Sequence, residues 1–289
     1  MKNNNVFVVA QKEAADHLQD AGFLVLLATY TVIVFASTYM YGSLAHDDNS
    51  VLLSSINVKM ISQFTPLLGI VLGFDVVVRE QKSGSLNVLL THPIFRDNIL
   101  AGKLLGSTLL IAAIIVFSVF VAVGTLLIFY GVEIEYMELI RIAVFIIFTF
   151  FYAVTFLGIA IFISTIVKNS TDSLTCNIVI WIFICVLFGA ILKTVVAILT
   201  GQTSNEGVLI TQLLNLSPLH HYAEVVTGRA DFSFMGVNVE PVIGGIFDTK
   251  YTLTKCLTEF WMNIVVLIMT PVILFIIAFI TFLRKDITL

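Results

Sequence analysis

Between Leu104 and Tyr130 the chain carries no Asp, Glu, Lys, Arg or His, a stretch longer than the roughly 20 residues that cross a ~30 Å hydrocarbon layer. A soluble core helix has no need of so long an uncharged run. Comparable runs recur at about 22–45, 58–78, 103–130, 140–167, 174–200 and 258–283. Charged residues make up 12% of the 289 residues, against about 25% in soluble domains. The pattern predicts an all-α membrane protein with six transmembrane helices, forming a single membrane domain over residues 1–289. The first run is longer than the 7–15 residue apolar region of a signal peptide and has no small-residue cleavage site, so it is read as a span.

An even number of spans places both termini on one side. Nine Lys and Arg fall on that side, Arg79, Lys82, Arg96 and Lys103 among them, and six on the other. Positive residues mark the cytoplasmic face, so both termini are expected there, in a plasma membrane. Residues 1–21 mix Val6, Phe7 and Val9 with Lys12, Glu13, Asp16 and Asp20, a pattern that fits an amphipathic helix lying along the inner surface. The longest connection, 200–257, falls outside. Within it Ser217 at an N-cap, Pro218 at the first helical position and Gly228 as the stop define a short outer helix. The preceding GVLITQLLNL forms a second, too short to cross. The stretch GVNVEPVIGGIFDTKYT reads as loop.

Several function classes lack their residues. A net charge of −4 offers no basic face to nucleic acid. Cys176, Cys185 and Cys256 form no disulfide framework. Gly102-Lys103 is followed by Leu104, so it is no phosphate loop; an H-E-x-x-H metal motif is absent as well. No catalytic, cofactor-binding or metal-binding residue is therefore assigned in this chain. The span interiors lack the midplane carboxylates and histidines of proton-coupled carriers. Asp75 is the nearest candidate, but it lies one helical turn from Arg79, which suits an ion pair at the inner interface. His220, His221 and Glu224 carry ligand atoms, but read more simply as a polar outer helix face. Gly69/Gly73 and Gly102/Gly106 are steps that let helices approach closely, and Pro66 and Pro271 interrupt two spans. Asn177 and Asn263 are too few to define a pocket, so the substrate path stays unassigned.

The connection at 79–102 is far longer than a helix joint requires. Gly84 follows the charged REQK, Ser85 can cap a helix, and Leu86, Leu89 and Leu90 share one face before Pro93 ends it. Such a short amphipathic helix either lies on the membrane or enters a partner's groove.

The order Glu80, Ser83, Gly84, Ser85, Leu86, Leu89, Leu90, Pro93, Ile94, Arg96, then Gly102, Lys103, Leu104, Leu105, Gly106, resembles the signature of ABC-2 type transporter permeases, the membrane subunits of ATP-driven exporters. Within that family the chain is similar to permeases of nitrous-oxide-reductase maturation and of multidrug or antibiotic export. The resemblance implies that 79–102 holds a cytoplasmic coupling helix docking on a separate ATPase, with Glu80, Gly84, Ser85, Leu86, Leu89, Leu90, Pro93 and Arg96 at the contact. ATP and Mg would sit in that partner, present in two copies under a homodimer of permeases in the lipid bilayer. Two other classes compete: a membrane anchor or regulatory partner that moves no substrate, and an independent secondary carrier.

The topology has a direct check. A cysteine placed at Asn205 is expected to react with an impermeant thiol reagent in sealed cells and one at Gln81 to stay unlabelled; labelling at Gln81 overturns the map.

Overall fold

The computed structural model describes residues 2–47, 55–79, 96–200, 206–233 and 243–284. The regular elements among them are helical. Helix α1 (Lys2–Gln19) ends at Asp20, and α2 (Ala21–Asp47) follows. Then come α3 (Ser55–Gly73), α4 (Arg96–Thr125), which closes in a π turn (Leu126–Tyr130), and α5 (Tyr136–Ile166). The next long rod is α6 (Ser170–Ile182), a π turn (Phe183–Leu187) and α7 (Phe188–Thr200). After it lie α8 (Glu206–Leu214), α9 (Pro218–Thr227), a 3-10 turn (Gly245–Phe247), α10 (Leu253–Glu259) and α11 (Trp261–Arg284).

Five helical stretches are long and apolar enough to cross a membrane: Ala21–Gly42, Leu100–Tyr130, Tyr136–Ile166, Ser170–Leu199 and Trp261–Arg284. The second expected span, 58–78, appears as helix α3 but is not among the five. Asn57, Lys59, Ser62, Gln63 and Thr65 lie in its first half. Asn57, Ser62, Gln63 and Thr65 are buried inside the protein. Both Pro66 in α3 and Pro271 in α11 sit within continuous helix.

Helix α5 is the centre of the bundle, with 67% of its apolar window buried, against 17% for the α6–α7 rod and for α11. It starts at Glu135, where a capping box with Glu138 satisfies the first backbone donors. It packs against α3, α4, α6, α9 and α11. The closest of these contacts is with α3, because Gly69 brings its backbone against that of α5. A Cβ at 69 would collide with the Ala153 carbonyl oxygen and the Leu157 amide nitrogen, and one at Gly73 would press on Ala160 and Leu157. The first of the two glycine steps is therefore the seam between α3 and α5.

The second step serves another purpose. Gly102 faces Val9 and the Val6 carbonyl, and Gly106 faces the Ala10 carbonyl and Glu13. The small residues at the start of α4 thus form a notch for the amphipathic helix α1, not for another span. On α1, Ala10 is buried while Phe7, Val8 and Leu18 stay exposed, so the helix keeps a second apolar side open.

The cap helix α9 begins at Pro218, as the sequence predicts, with Ser217 extended at the N-cap but making no side-chain cap bond. It stops where Gly228 adopts φ 67°, a left-handed conformation open to glycine at little cost. The 245–248 part of the stretch read as loop forms a buried 3-10 turn against α9.

The α3–α5 seam is expected to govern stability. Gly69→Ala should cost about 1–3 kcal/mol by overpacking, whereas Gly124→Ala, whose Cβ would meet nothing within 4 Å, should leave stability unchanged or raised. Thermal unfolding of the purified variants checks both.

Candidate functional site

The candidate site is the end of the bundle that flanks the expected coupling segment. Glu80, Gly84, Ser85, Leu86, Leu89, Leu90 and Pro93 lie outside the described residues. Arg96 is the first residue of α4, so the last part of the 79–102 segment is the opening of that helix. What the structure supplies is the support on either side.

On the near side, α3 ends at Gly73 and the chain turns through Phe74–Val77. The turn is fixed by Ser164 of α5, whose hydroxyl oxygen accepts from the amides of Val77 (3.1 Å) and Val78 (3.2 Å). Two amide donors of the turn that follows the helix are thereby satisfied inside the protein. One turn later the Arg79 amide donates to the Asp75 carbonyl at 2.9 Å. The Asp75 carboxyl lies within the electrostatic reach of Arg79, His17, Lys103 and Glu13. The sequence pairs Asp75 with Arg79 alone; the structure also brings His17, Lys103 and Glu13 within electrostatic reach of Asp75.

On the far side, α4 is joined to α1. Lys103 Nζ stands 3.0 Å from Glu13 Oε2, and His17 Nε2 is 3.5 Å from Glu13 Oε1. Burial pushes the Glu13 carboxyl up, but the bonds and charges of His17 and Lys103 outweigh it and hold the group below the usual carboxylate range. Lys103, in sequence one basic residue of an inner loop, is 9% exposed. The exit of α3, the start of α4 and helix α1 therefore meet around one set of charges: Glu13, His17, Asp75, Arg79 and Lys103.

At the opposite end the residues read as a polar helix face are buried. His220 and His221 are 1% and 5% exposed. His221 Nδ1 lies 2.6 Å from Asn263 Oδ1, Asn263 Nδ2 donates to Glu224 Oε2 at 2.6 Å, and His220 Nε2 lies 3.0 Å from Asn215 Oδ1. Burial holds the His220 imidazole below the usual histidine range, against the raising influence of the Ala230 carbonyl and Glu224. Among the described residues no three His, Cys, Asp or Glu side chains are grouped to hold a metal ion.

Sequence reasoning also missed Arg141, which is 4% exposed. Its guanidinium donates to the carbonyls of Ile246, Asp248 (3.0 Å) and Tyr251 (2.6 Å), tying the turn before α10 to α5. Asn177, named as a polar candidate, is buried on α6 with Oδ1 unpartnered, one helical turn from Ser173, whose Oγ is likewise unpartnered. A further buried acceptor without a partner is Gln63 Oε1. The Gln63 side-chain nitrogen Nε2 donates to the Phe232 carbonyl, and the Gln63 backbone carbonyl accepts from Trp181 Nε1 at 2.9 Å.

Comparison with known proteins gives the chain its relatives. The family model described as "ABC-2 family transporter protein" matches residues 7–287. A protein of Stutzerimonas stutzeri named "Probable ABC transporter permease protein NosY" is 25% identical over 224 residues, 76% of this chain and 80% of its own length. A protein of the same name from Pseudomonas aeruginosa is 30% identical over 111 residues, 37% of this chain and 40% of its own.

The Glu13–Lys103 contact should hold α1 in its notch. Glu13→Gln or Lys103→Met is expected to weaken docking by about 1 kcal/mol, and the swap Glu13→Lys with Lys103→Glu to recover part of it, read as protease susceptibility of α1. Because the folded Glu13 carboxyl is depressed, its contribution is present above the unfolded value of 4.5 and is lost as pH falls below it.

Proposed function

The chain belongs to the ABC-2 family of transporter proteins, and on that premise we propose that it is the permease of an ATP-driven exporter, coupled through residues 79–102 to a separate ATPase. As a multi-pass membrane subunit it supplies the path, while ATP and Mg belong to the partner. The observation that carries the reading is the inner junction. The described chain enters the 79–102 segment from a turn pinned to the central helix α5 by Ser164. It leaves through a helix start locked to α1 by Lys103 and Glu13. A segment held on both sides by buried hydrogen bonds and charges can pass a push from a docked partner into α3, α4 and α5. A segment lodged passively on the membrane needs no such anchorage.

In this reading Leu86, Leu89 and Leu90 enter a groove of the ATPase. Gly84, Ser85 and Pro93 delimit the helix, and Glu80 and Arg96 frame it with charges that keep it out of the lipid. Asp75 and Arg79 form the ion pair at the root of the segment. Two ATPases serve two identical permeases. The thinly covered sides of the α6–α7 rod, α11 and α2, each with under 30% of its apolar window buried, leave surface for both lipid and a second copy. Both termini face the cytoplasm, and the membrane is the plasma membrane. The names of the relatives support a permease; export is the family's habit, and the cargo stays unassigned. An anchor or regulatory role would leave the inner junction without work. A secondary carrier would need titratable groups at midplane, and the longest span has none.

Replacing Leu89 tests the coupling. Fully burying a leucine contributes about 1.5–3 kcal/mol, and an aspartate there would also bring an unpaired carboxylate into the contact. Leu89→Asp should leave the permease inserted and folded but reduce co-purification of the ATPase and abolish substrate-stimulated ATP hydrolysis in membranes. Normal capture with normal coupling would replace this reading by the membrane-lodged one.

A further inference from the structure

The hydrogen-bond pattern of the cap is consistent only with certain proton placements. The backbone carbonyl of Asn215 lies 2.9 Å from His221 Nε2, and a carbonyl can only accept, so Nε2 carries a hydrogen. The other ring nitrogen, Nδ1, faces the Asn263 carbonyl oxygen at 2.6 Å, while the Asn263 amide nitrogen donates to Glu224 Oε2 at 2.6 Å. With Asn263 placed this way, Nδ1 must carry a second hydrogen, and the chain reads imidazolium, amide, carboxylate. A neutral His221 needs the amide turned over, so that its nitrogen donates to Nδ1. The Asn263 oxygen then faces Glu224, which must be protonated to donate to it. Both arrangements satisfy every partner, and both hold one proton shared between His221 and Glu224. Removing that proton leaves two acceptors face to face, either at His221 or at Glu224, whichever way Asn263 turns.

We infer that His221, Asn263 and Glu224 form a proton-dependent latch between the cap helix α9 and the last span α11, closed while the His221–Glu224 pair carries a proton and opened when it leaves. The latch joins two elements that each pack against the central helix α5. α9 is anchored on α5 by Tyr222, stacked on Tyr152 at 4.5 Å and bonded to Thr149 at 2.9 Å. α11 is thinly covered along most of its length, and its contact with α9 contains this polar chain, buried at His221 and part-buried at Asn263 and Glu224. Loss of the proton breaks the polar tie between α9 and α11, while both helices keep their contacts with α5.

On α9 itself are His220, ring to ring with His221 at 5.3 Å, and Glu224. The loop that follows brings Asp231, which acts on His220, and Arg229; both act on Lys59 of α3, a helix that also packs on α9. From α5 and α2 come Tyr152 and Tyr30, and tyrosine does not titrate below about pH 9. α11 offers the uncharged Asn263. His220 works in the opposite sense: buried and favoured neutral, it destabilises the cap when it gains a proton. The sign of the pH effect therefore separates the two histidines.

The test is hydrogen–deuterium exchange of the 218–228 and 261–267 peptides in the full-length permease in lipid nanodiscs, each rate divided by the intrinsic rate at the same pH. Between about pH 5.5 and pH 8, which bracket the ordinary histidine value, wild-type protection should fall about tenfold on the alkaline side, the scale of losing one charged hydrogen bond. Glu224→Gln supplies an amide that can donate or accept, so the latch should stay closed and protection high at both pH values. Asn263→Leu should give low protection at both. Wild-type protection that is constant, or that falls on the acid side, overturns the latch. A Glu224→Gln permease that keeps the wild-type dependence overturns it too, whatever the outcome for coupling and cargo.

Discussion

The contact on which the rest of the bundle depends is the backbone-to-backbone seam between α3 and α5. Gly69 lets the two helices approach until a single methyl group would strike the α5 main chain. At that distance α3 is held inside the protein along its length. One end meets the cap, where Gln63 bonds to Phe232. The other meets Ser164, which takes the amides of Val77 and Val78. A wider spacing would lift both ends from their partners, since neither a side-chain amide nor a serine hydroxyl can stretch far beyond 3 Å and still bond.

The same seam explains how so polar a helix can stand in an apolar bundle. Unpaired amides and hydroxyls cost several kcal/mol each in hydrocarbon. Asn57 avoids that cost by bonding Ser37 and Thr38 of α2, and Thr65 by bonding Tyr30 at 2.9 Å. The polar half of α3 is turned toward α2, the cap and α6, and away from lipid. It is a core helix in its contacts, whatever its depth in the membrane. Among the described residues, the buried polar atoms without a hydrogen-bond partner include Gln63 Oε1 on α3 and Asn177 Oδ1 and Ser173 Oγ on the neighbouring α6.

How much of this was legible in the sequence follows from the range of the interactions. Apolar runs and turn residues act locally, so the long helices, the break at Asp20 and the stop at Gly228 can be read from composition and spacing. The glycine steps were legible as places of close approach but not as to partner; only the fold shows Gly69 against α5 and Gly102 against α1. Arg141 carries no local signal of its role, because the three carbonyls it bonds lie over a hundred positions away in the chain. His220, His221 and Glu224 were misread as a polar face for a related reason. Helical spacing puts residues on one side of α9, yet it cannot tell whether that side meets water or Asn263. The two π turns, at Leu126–Tyr130 and Phe183–Leu187, have no signature in residue type at all. The leucines of 86–90 remain a reading of sequence alone.

The two ends of the molecule are linked by α5 and differ in how they hold their neighbours. At the α1–α4 junction the tie is a charged pair, Glu13 and Lys103, with side chains 14% and 11% exposed. At the cap the ties are neutral or proton-sharing bonds with histidine rings almost wholly buried, where a missing partner is expensive. Between them the α6–α7 rod touches the core through few polar contacts: Trp181 to the Gln63 carbonyl, Cys185 to Tyr152 at 3.7 Å, and Gly189 against Asp231. The π turn of that rod, Phe183–Leu187, lies amid those three contacts. A π turn accommodates an extra residue by widening the helix locally, so it is a place where one rod can change its bend without breaking its ladder. A push delivered at the inner junction would thus meet a rigid α3–α5 axis and a rod that can yield beside it.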